Sequence, residues 1–307
     1  MINFVKNRMS IHFNKRKATT IDMYAMQDNL VKQTNHDQVI IIQKRPGWKI
    51  LDLKELMDYR DLFVFMVWRE IKVLYAQTIL GLSWAILQPL IQILIFTIVF
   101  GRVAKVNTDG IPYFVFSTVA IIPWTYMQQA MTMSSQSLIT GQNMLGKIYF
   151  PRFIFPLTPI LARMVDFLIS LLILVCVMFY YKIPLTLYML YLPIFLLMMM
   201  AVPTSIGLWL SSMAIRFRDV KHAMPFVVRM LIYTAPIVYS ASSIPEKYRL
   251  FYSLNPIVGV IEGFRASILG TPIPWAYIVP GMFTAAILLI TGAYYFKKME
   301  EIIVDVI

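Results

Sequence analysis

The fold of this chain is constrained most strongly by its long apolar segments, which follow one another from residue 83 almost to the C-terminus. An apolar stretch of about 20 residues is long enough to cross the hydrocarbon core of a bilayer as an α-helix. The composition agrees, since 59% of the residues are hydrophobic and only 14% are charged. We therefore predict an all-α integral membrane protein with six transmembrane helices, at residues 83–103, 113–138, 155–181, 186–213, 224–240 and 273–296.

The charge of the chain is strongly basic, with 28 Lys and Arg against 16 Asp and Glu and a formal net charge of +12. Most basic residues flank apolar segments, so the positive-inside rule and anionic lipid headgroups explain the charge, and no nucleic-acid partner is predicted. Six spans leave both termini on one side, and the excess of Lys and Arg on that side predicts that both are cytoplasmic. Three dispersed histidines offer no metal-ligand spacing, so no metal site is predicted.

The segments outside the spans divide into tails, an interfacial helix and a broken loop. Residues 51–82 have a helical pattern with a charge every few residues, which favours an amphipathic helix lying in the membrane interface. Residues 244–270 are broken at Asn255-Pro256 and predict two short helices. These are either re-entrant helices against a cavity or a structured external loop. Cytoplasmic tails are expected at residues 1–50 and 297–307.

Polar and aromatic side chains recur at helical spacing within the spans. Polar groups in a spanning helix turn away from lipid, toward a partner helix or a hydrated cavity. Rings stack on the apolar faces of sugars while amides bond to their hydroxyls, so such residues suit a conduit for carbohydrate. For any single residue, a helix–helix contact or an interfacial position is the simpler interpretation. The candidate conduit-lining residues are Trp84, Gln88, Gln92, Thr125, Gln129, Thr132, Gln136, Tyr233, Tyr239 and Tyr252.

Two other features suggest chemistry that the residues do not support. Residues 141–147 have the glycine and lysine spacing of a phosphate-binding loop, but Ile148 stands where a serine or threonine must hold magnesium. The motif also follows a membrane helix, so no cofactor is expected in this chain. Arg163 and Asp166 lie three residues apart and are expected to pair on one helix face. We interpret this pair as structural, because a proton- or sodium-driven carrier would usually have more acidic residues within its spans.

From residue 50 onward the sequence resembles the ABC-2 type polysaccharide-export permeases, the membrane subunits of O-antigen, capsule and teichoic-acid exporters. The resemblance follows the chain in order without large gaps, which makes chance agreement improbable. It rests on VWREIKVLYAQT at 67–78, LGLSWA at 80–85, Gln88-Pro89, GIPY at 110–113, Pro123-Trp124, KIYFPR at 147–152, RFRDV at 216–220 and LNP at 254–256.

The resemblance implies an architecture and partners that composition does not reveal. It implies a homodimer in the bacterial inner membrane, with Mg-ATP bound by a separate ABC ATPase subunit. Residues 141–152 would be a coupling helix that docks on the ATPase, and residues 244–270 would be gate helices. The cargo would be a polyprenyl-diphosphate-linked polysaccharide, drawn electrostatically to Arg60, Arg69 and Lys72. The candidate ATPase-coupling residues are Gly141, Lys147, Tyr149 and Arg152.

Two other functional classes remain open on the sequence. One is an ABC-2 permease that exports a drug or a lipid, which the aromatic and amide residues argue against only mildly. The other is a secondary carrier or a membrane-embedded enzyme. Both of these usually place several Asp, Glu or His residues within the membrane or at its face, and Asp166 is the one carboxylate inside the predicted spans.

Overall fold

The computed structural model describes residues 53–76, 81–145, 150–217 and 219–306, and every regular element within these ranges is helical. The predicted tail at residues 1–50 lies outside the described residues. Short 3₁₀ turns and a π-helical turn, Thr97–Val103, extend or connect the α-helices. The α-helices of these ranges are α1 (Leu53–Asp58), α2 (Arg60–Tyr75), α3 (Trp84–Phe96), α4 (Tyr113–Thr140), α5 (Gln142–Leu145), α6 (Ile154–Tyr180), α7 (Leu192–Arg216), α8 (Asp219–Met230), α9 (Glu246–Ser253), α10 (Pro256–Leu269) and α11 (Trp275–Val306).

Within the described residues, four helical stretches have the length and apolar character needed to cross a membrane, which supports the integral membrane class. They correspond to the first, third, fourth and sixth predicted spans. The second predicted span forms α4, whose 28 residues rise about 42 Å. Its many hydroxyl and amide groups make it less apolar than the other four, and it lies buried at the centre of the bundle. The four apolar stretches are Gly81–Val103, Ile154–Tyr180, Leu187–Arg216 and Trp275–Glu300.

The fifth predicted span, residues 224–240, is not a continuous helix, and the prediction is wrong on this point. Helix α8 ends at Met230, a 3₁₀ turn occupies Leu231–Tyr233, and irregular backbone continues to Ser240. The apolar composition of residues 224–240 predicted one helix here. Composition indicates that a segment tends to leave water, but it does not specify the distance that the segment has to cover.

The distance along α4 supplies the physical reason for this unwinding. Gln136 donates through Nε2 to the Lys221 carbonyl oxygen at 3.4 Å, and Tyr113 donates through its hydroxyl to the Val238 carbonyl oxygen at 2.8 Å. Gln136 and Tyr113 are separated by about 34 Å of helix, whereas a helix from Lys221 to Val238 would rise only about 26 Å. A continuous helix over residues 221–238 would thus be shorter than the stretch of α4 between these contacts, and Pro236 lacks the N–H that such a helix needs.

The two ends of the bundle are distinguished by what packs there. At one end, here called the basal end, Phe153 and Phe296 bring their ring centroids within 4.5 Å, and Met66 of α2 joins the same apolar cluster. At the other, the distal end, the Ser240 hydroxyl donates to Asp109 Oδ2 at 2.6 Å. Helix α4 runs between the two, because its first residues lie at the distal end and its last residues at the basal end.

The predicted break at Asn255-Pro256 is confirmed as the boundary between α9 and α10. The Asn255 side chain accepts a hydrogen bond from the Ile257 amide at 3.1 Å, which caps the N-terminus of α10. Pro256 takes the first helical position, where its missing N–H costs nothing. Gly270 ends α10 with φ +71°, a backbone conformation that glycine adopts without strain.

Candidate functional site

Hydrogen bonds connect five side chains from four helices, and we call these residues the polar cluster. They are Tyr75, Gln88, Gln129, Arg163 and Asp166. Arg163 of α6 donates through Nη1 to Gln129 Oε1 at 3.1 Å and to Asp166 Oδ2 at 2.6 Å. Gln129 of α4 donates through Nε2 to Gln88 Oε1 of α3 at 3.0 Å. Tyr75, the last residue of α2, donates its hydroxyl to Asp166 Oδ1. Since a guanidinium can only donate, Arg163 orients the Gln129 amide with its NH₂ toward Gln88.

The expected pairing of Arg163 with Asp166 is confirmed, and both side chains are largely buried, with 19% and 12% of their surface exposed. A buried ion pair offsets its desolvation only when further hydrogen bonds satisfy its remaining atoms. Gln129 and Tyr75 provide such bonds. Burial, and then the neighbouring Asp166 carboxylate, raise the pKa of the Tyr75 hydroxyl above its ordinary value. The hydroxyl therefore remains a donor at neutral and moderately alkaline pH.

The polar cluster lines a cavity of about 90 Å³. Trp84 and Thr125 contribute to the same wall, so four of the predicted conduit-lining residues, including Gln88 and Gln129, meet at one place. A buried water needs roughly 10–15 Å³ of such space and two to four polar partners, so the cavity has room for several waters. The site offers amide, hydroxyl and guanidinium groups beside an indole ring, and these can bind a polar group that passes between the helices.

The remaining polar positions of the first two spans lie outside this cavity. Gln92 is half-buried on α3. Thr132 donates its hydroxyl to the Gln128 carbonyl oxygen of its own helix at 2.8 Å. Gln136 is the residue that contacts the Lys221 backbone toward the basal end. The predicted conduit-lining residues of α4 therefore have different partners.

The three predicted tyrosines form a separate group toward the distal end. Tyr252 donates its hydroxyl to the Tyr239 hydroxyl at 3.3 Å, and Tyr239 donates to the Tyr233 carbonyl oxygen at 3.3 Å. Tyr252 also lines an open pocket of about 370 Å³ with Tyr248 and Phe251. The structure therefore brings four of the predicted conduit residues together at the cavity and three toward the distal end.

Tyr75 is the member of the polar cluster that the sequence did not reveal. The sequence predicted only that Tyr75 belongs to an interfacial amphipathic helix, whereas the structure places its hydroxyl on Asp166, 91 positions away. Helical periodicity in α2 indicates which face is apolar, but it contains no information about the partner helix. Within the described residues, no group of three His, Cys, Asp or Glu side chains could hold a metal ion.

The predicted coupling residues lie at the basal end where they are described. Gly141 ends α4, and a methyl group at this position would lie 2.1 Å from the Phe155 ring, so the glycine permits close packing. Helix α5 follows as a single turn. Arg152 donates through Nη1 to the Glu300 carbonyl oxygen of α11 at 2.9 Å. Lys147 and Tyr149 lie outside the described residues.

The three basic residues predicted to attract a diphosphate are all exposed on α2. The Lys72 ammonium lies 5.1 Å from the Trp68 ring centroid, and the Arg60 guanidinium lies 3.6 Å from the Asp61 carboxylate. Arg69 lies one turn before Lys72 along the same helix. Helix α2 thus carries cations on its exposed surface and Met66 on its buried side.

Comparison with known proteins places this arrangement among membrane transporters. Residues 61–269 match the ABC-2 type transporter family. The O-antigen export system permease protein RfbA of Klebsiella pneumoniae is 26% identical over 241 residues, which cover 78% of this chain and 92% of that protein. The RfbA of Myxococcus xanthus is 25% identical over 244 residues, with 78% and 93% covered. The polysialic acid transport protein KpsM of Escherichia coli is 26% identical over 252 residues, with 76% and 92% covered.

Proposed function

Since this chain belongs to the ABC-2 type transporter family, we propose that it is the membrane permease subunit of an exporter of polysaccharide. The observation that carries the proposal is the extent of the match to permeases named for O-antigen export and polysialic acid transport. More than nine tenths of each of these proteins aligns with about three quarters of this chain. The cargo is a polysaccharide linked to a polyprenyl diphosphate, which the exporter moves from the cytoplasmic to the outer face of the plasma membrane.

The polar cluster and the distal tyrosines are the parts of the bundle that suit such a cargo. A sugar chain has hydroxyl groups that need hydrogen-bond partners and apolar faces that stack on rings. Gln88 and Gln129 supply amides at the cavity, with the Trp84 ring beside them. Tyr239 and Tyr252 supply rings and hydroxyls toward the distal end. In this proposal the polar cluster and the distal tyrosines are successive binding regions along one conduit.

The proposed topology has six crossings, with the basal end and both termini in the cytoplasm. The fifth crossing consists of α8 and the irregular backbone that follows it. Its contacts with Gln136 toward the basal end and with Tyr113 at the distal end support a crossing despite the missing helix. Helices α9 and α10 enter the membrane again from the outer face as gate helices. Backbone that is not helical is tolerated at such depth only against protein or water.

We further propose that the functional unit contains two copies of this chain and a separate ABC ATPase that binds Mg-ATP. Gln88 is exposed on α3 and Gln92 is half-buried there, although apolar side chains surround both. An amide facing lipid is unfavourable, so a second copy or a shared hydrated conduit would cover this face. Residues 141–152 form the docking site for the ATPase, and Gly141 and Arg152 of this segment lie at the basal end. Arg60, Arg69 and Lys72 attract the diphosphate of the cargo to the same side.

A single bulky substitution tests the proposed conduit in cells that lack the native chain. Gln129→Trp should fill the cavity and abolish surface polysaccharide, while lipid-linked polymer accumulates inside. Ile287→Trp is the matched control, since Ile287 is 44% exposed on the outer surface of α11 and a ring there meets lipid. Surface polymer is measured with a lectin or an antibody, and the amount of chain in the membrane is measured in parallel. Normal surface polymer in cells without the chain, together with lost efflux of a drug or a lipid, would refute polysaccharide export.

A further inference from the structure

Residues 234–241, which we call the unwound segment, are mostly buried, although no α-helix includes them and Ala241 alone belongs to a 3₁₀ turn. Ala235 and Ile237 are completely inaccessible, and Ala241 is 2% exposed. Buried backbone N–H and C=O groups need hydrogen-bond partners, and a helix would have supplied them internally. The partners of this segment therefore show what keeps it in place.

Three carbonyl oxygens of the unwound segment accept hydrogen bonds from side chains of three different helices. The donors belong to α10, α4 and α11, so the segment is held from several directions and not by one neighbour. These bonds join Arg265 Nη2 to Pro236 at 2.6 Å, the Tyr113 hydroxyl to Val238 at 2.8 Å and the Tyr277 hydroxyl to Ala241 at 3.2 Å.

Arg265 is the charged member of this group and the one that has the most partners. It is 5% exposed, it forms an ion pair with Glu262 one turn earlier in α10, and its guanidinium lies 3.8 Å from the Phe116 ring centroid. A guanidinium carries five donors in a rigid fork and can bind a carboxylate and a carbonyl oxygen together. Burying it alone would be costly, so Glu262 makes the bond from Arg265 to Pro236 possible.

We propose that Arg265 and Glu262 are positioning residues that fasten α10 to the unwound segment, so that the two act as one unit at the distal end. Tyr239 lies in the unwound segment and bonds to Tyr252 of α9, so the arrangement of the distal tyrosines depends on where the segment is held. The consequence for export rests on the proposed function above. The attachment of α10 to the unwound segment does not rest on the proposed function, because it concerns hydrogen bonds within this chain.

A simpler interpretation is that the pair only stabilises α10 as an ordinary i,i+3 ion pair. Exchanging the two charges separates these interpretations. Glu262→Arg with Arg265→Glu keeps an ion pair on α10, but it places a carboxylate against the Pro236 carbonyl oxygen, where two acceptors repel. An ordinary ion pair tolerates this exchange, whereas the fastening to the unwound segment does not.

Hydrogen exchange of the full-length chain in lipid nanodiscs measures the result directly. In the variant with swapped charges, the amide hydrogens of residues 231–243 should exchange with solvent at least tenfold faster than in the wild type. The exchange rates of the α10 amides should stay within threefold of the wild type. The matched control is the same exchange at Lys297 and Glu300, an i,i+3 pair on α11 at the basal end whose side chains are 45% and 19% exposed. It should leave residues 231–243 unchanged. If the amides of residues 231–243 exchange at the wild-type rate in the variant with swapped charges at Glu262 and Arg265, the proposal is overturned.

A second variant covers the case in which the exchanged pair does not fold. Glu262→Met with Arg265→Met leaves no buried charge, and such replacements of ion pairs are often neutral for stability. Faster exchange in residues 231–243 is again expected, and its absence would overturn the proposal. In cells, the same variant should lower surface polysaccharide at least tenfold at an unchanged amount of chain. Unchanged export would refute the role in export, and failure of polysaccharide export as the function would leave the exchange result intact.

Discussion

Gln129 donates its side-chain amide to Gln88 Oε1 at 3.0 Å, and this bond joins the central helix α4 to α3 at the polar cavity. The two residues are 41 positions apart and belong to different predicted spans. Arg163 makes the bond possible because it occupies the Gln129 carbonyl oxygen and turns the NH₂ group toward Gln88. The ion pair of Arg163 and Asp166, which we predicted to be structural from the sequence, thus fixes the orientation of the Gln129 amide at the cavity.

Removing the cation of this pair should destabilise the chain strongly. Arg163→Met leaves the Asp166 carboxylate buried without its ion-pair partner, which costs about 3–5 kcal/mol in comparable buried pairs. Arg163→Met with Asp166→Asn removes both charges and should recover most of the loss. Unfolding of the purified full chain in detergent measures both. Equal stability of wild type and Arg163→Met would contradict the assigned pair.

Tyr75→Phe should loosen α2 from the bundle. The variant removes the hydroxyl that bonds to Asp166, and a hydrogen bond to a charged group contributes about 1.5–3 kcal/mol. Limited trypsin cleavage after Arg69 and Lys72 should therefore be faster than in the wild type. Tyr180→Phe serves as the control, because Tyr180 is 81% exposed. The assignment fails if both variants are cleaved at the wild-type rate.

The same hydroxyl predicts a pH dependence. The pKa of Tyr75 is raised in the folded state, so ionisation favours unfolding. The stability difference between wild type and Tyr75→Phe should be constant below pH of about 10, the ordinary tyrosine pKa, and should shrink above it. Thermal unfolding of both proteins between pH 7 and pH 11 tests this, because titrations common to both cancel. A difference that shrinks already below pH 9 would contradict it.

Cysteine reactivity should distinguish the α4 face that lines the conduit from the opposite face. In a Cys176→Ser background, cysteines at Thr125, Gln129, Thr132 and Gln136 should react with a small charged thiol reagent at least tenfold faster than cysteines at Met127 and Ala130. Thiolate formation and reagent access both need water, and Met127 and Ala130 are completely buried. Reactivity is measured with and without ATP turnover by the partner. Uniform protection in every state would mean that the stripe only makes helix–helix contacts.

Gly207→Ala should weaken the packing of α7 against α4. A methyl group at Gly207 would lie 2.0 Å from the Ser134 hydroxyl oxygen, and that hydroxyl already donates to the Pro156 carbonyl oxygen at 2.8 Å. Overpacking of this kind costs about 1–3 kcal/mol. The midpoint of thermal unfolding should fall, whereas Thr204→Ala on the same helix should change it little, because its hydroxyl bonds only within α7. A midpoint at the wild-type value for Gly207→Ala would show that Ser134 can move aside.

Local properties of the sequence were sufficient for much of the fold. Hydrophobic length predicted four helices that the structure confirms as candidate spans, since the tendency to leave water belongs to each segment by itself. The break between α9 and α10 follows from Asn255 as a capping residue and Pro256 at the first helical position. The ion pair of Arg163 and Asp166 follows from their spacing, because residues three apart are neighbours on any helix.

Relations between distant segments were decided only by the tertiary structure. Tyr75 reaches Asp166, and Arg265 reaches Pro236, because helix packing brings these atoms together, and periodicity within one helix does not specify its neighbour. The unwinding after Met230 has the same origin. The sequence of that segment is apolar enough for a helix, but the length of α4 sets how far the chain must extend. Hydrophobic length thus indicated which segments can cross a membrane, and packing decided which of them are buried and which partners they have.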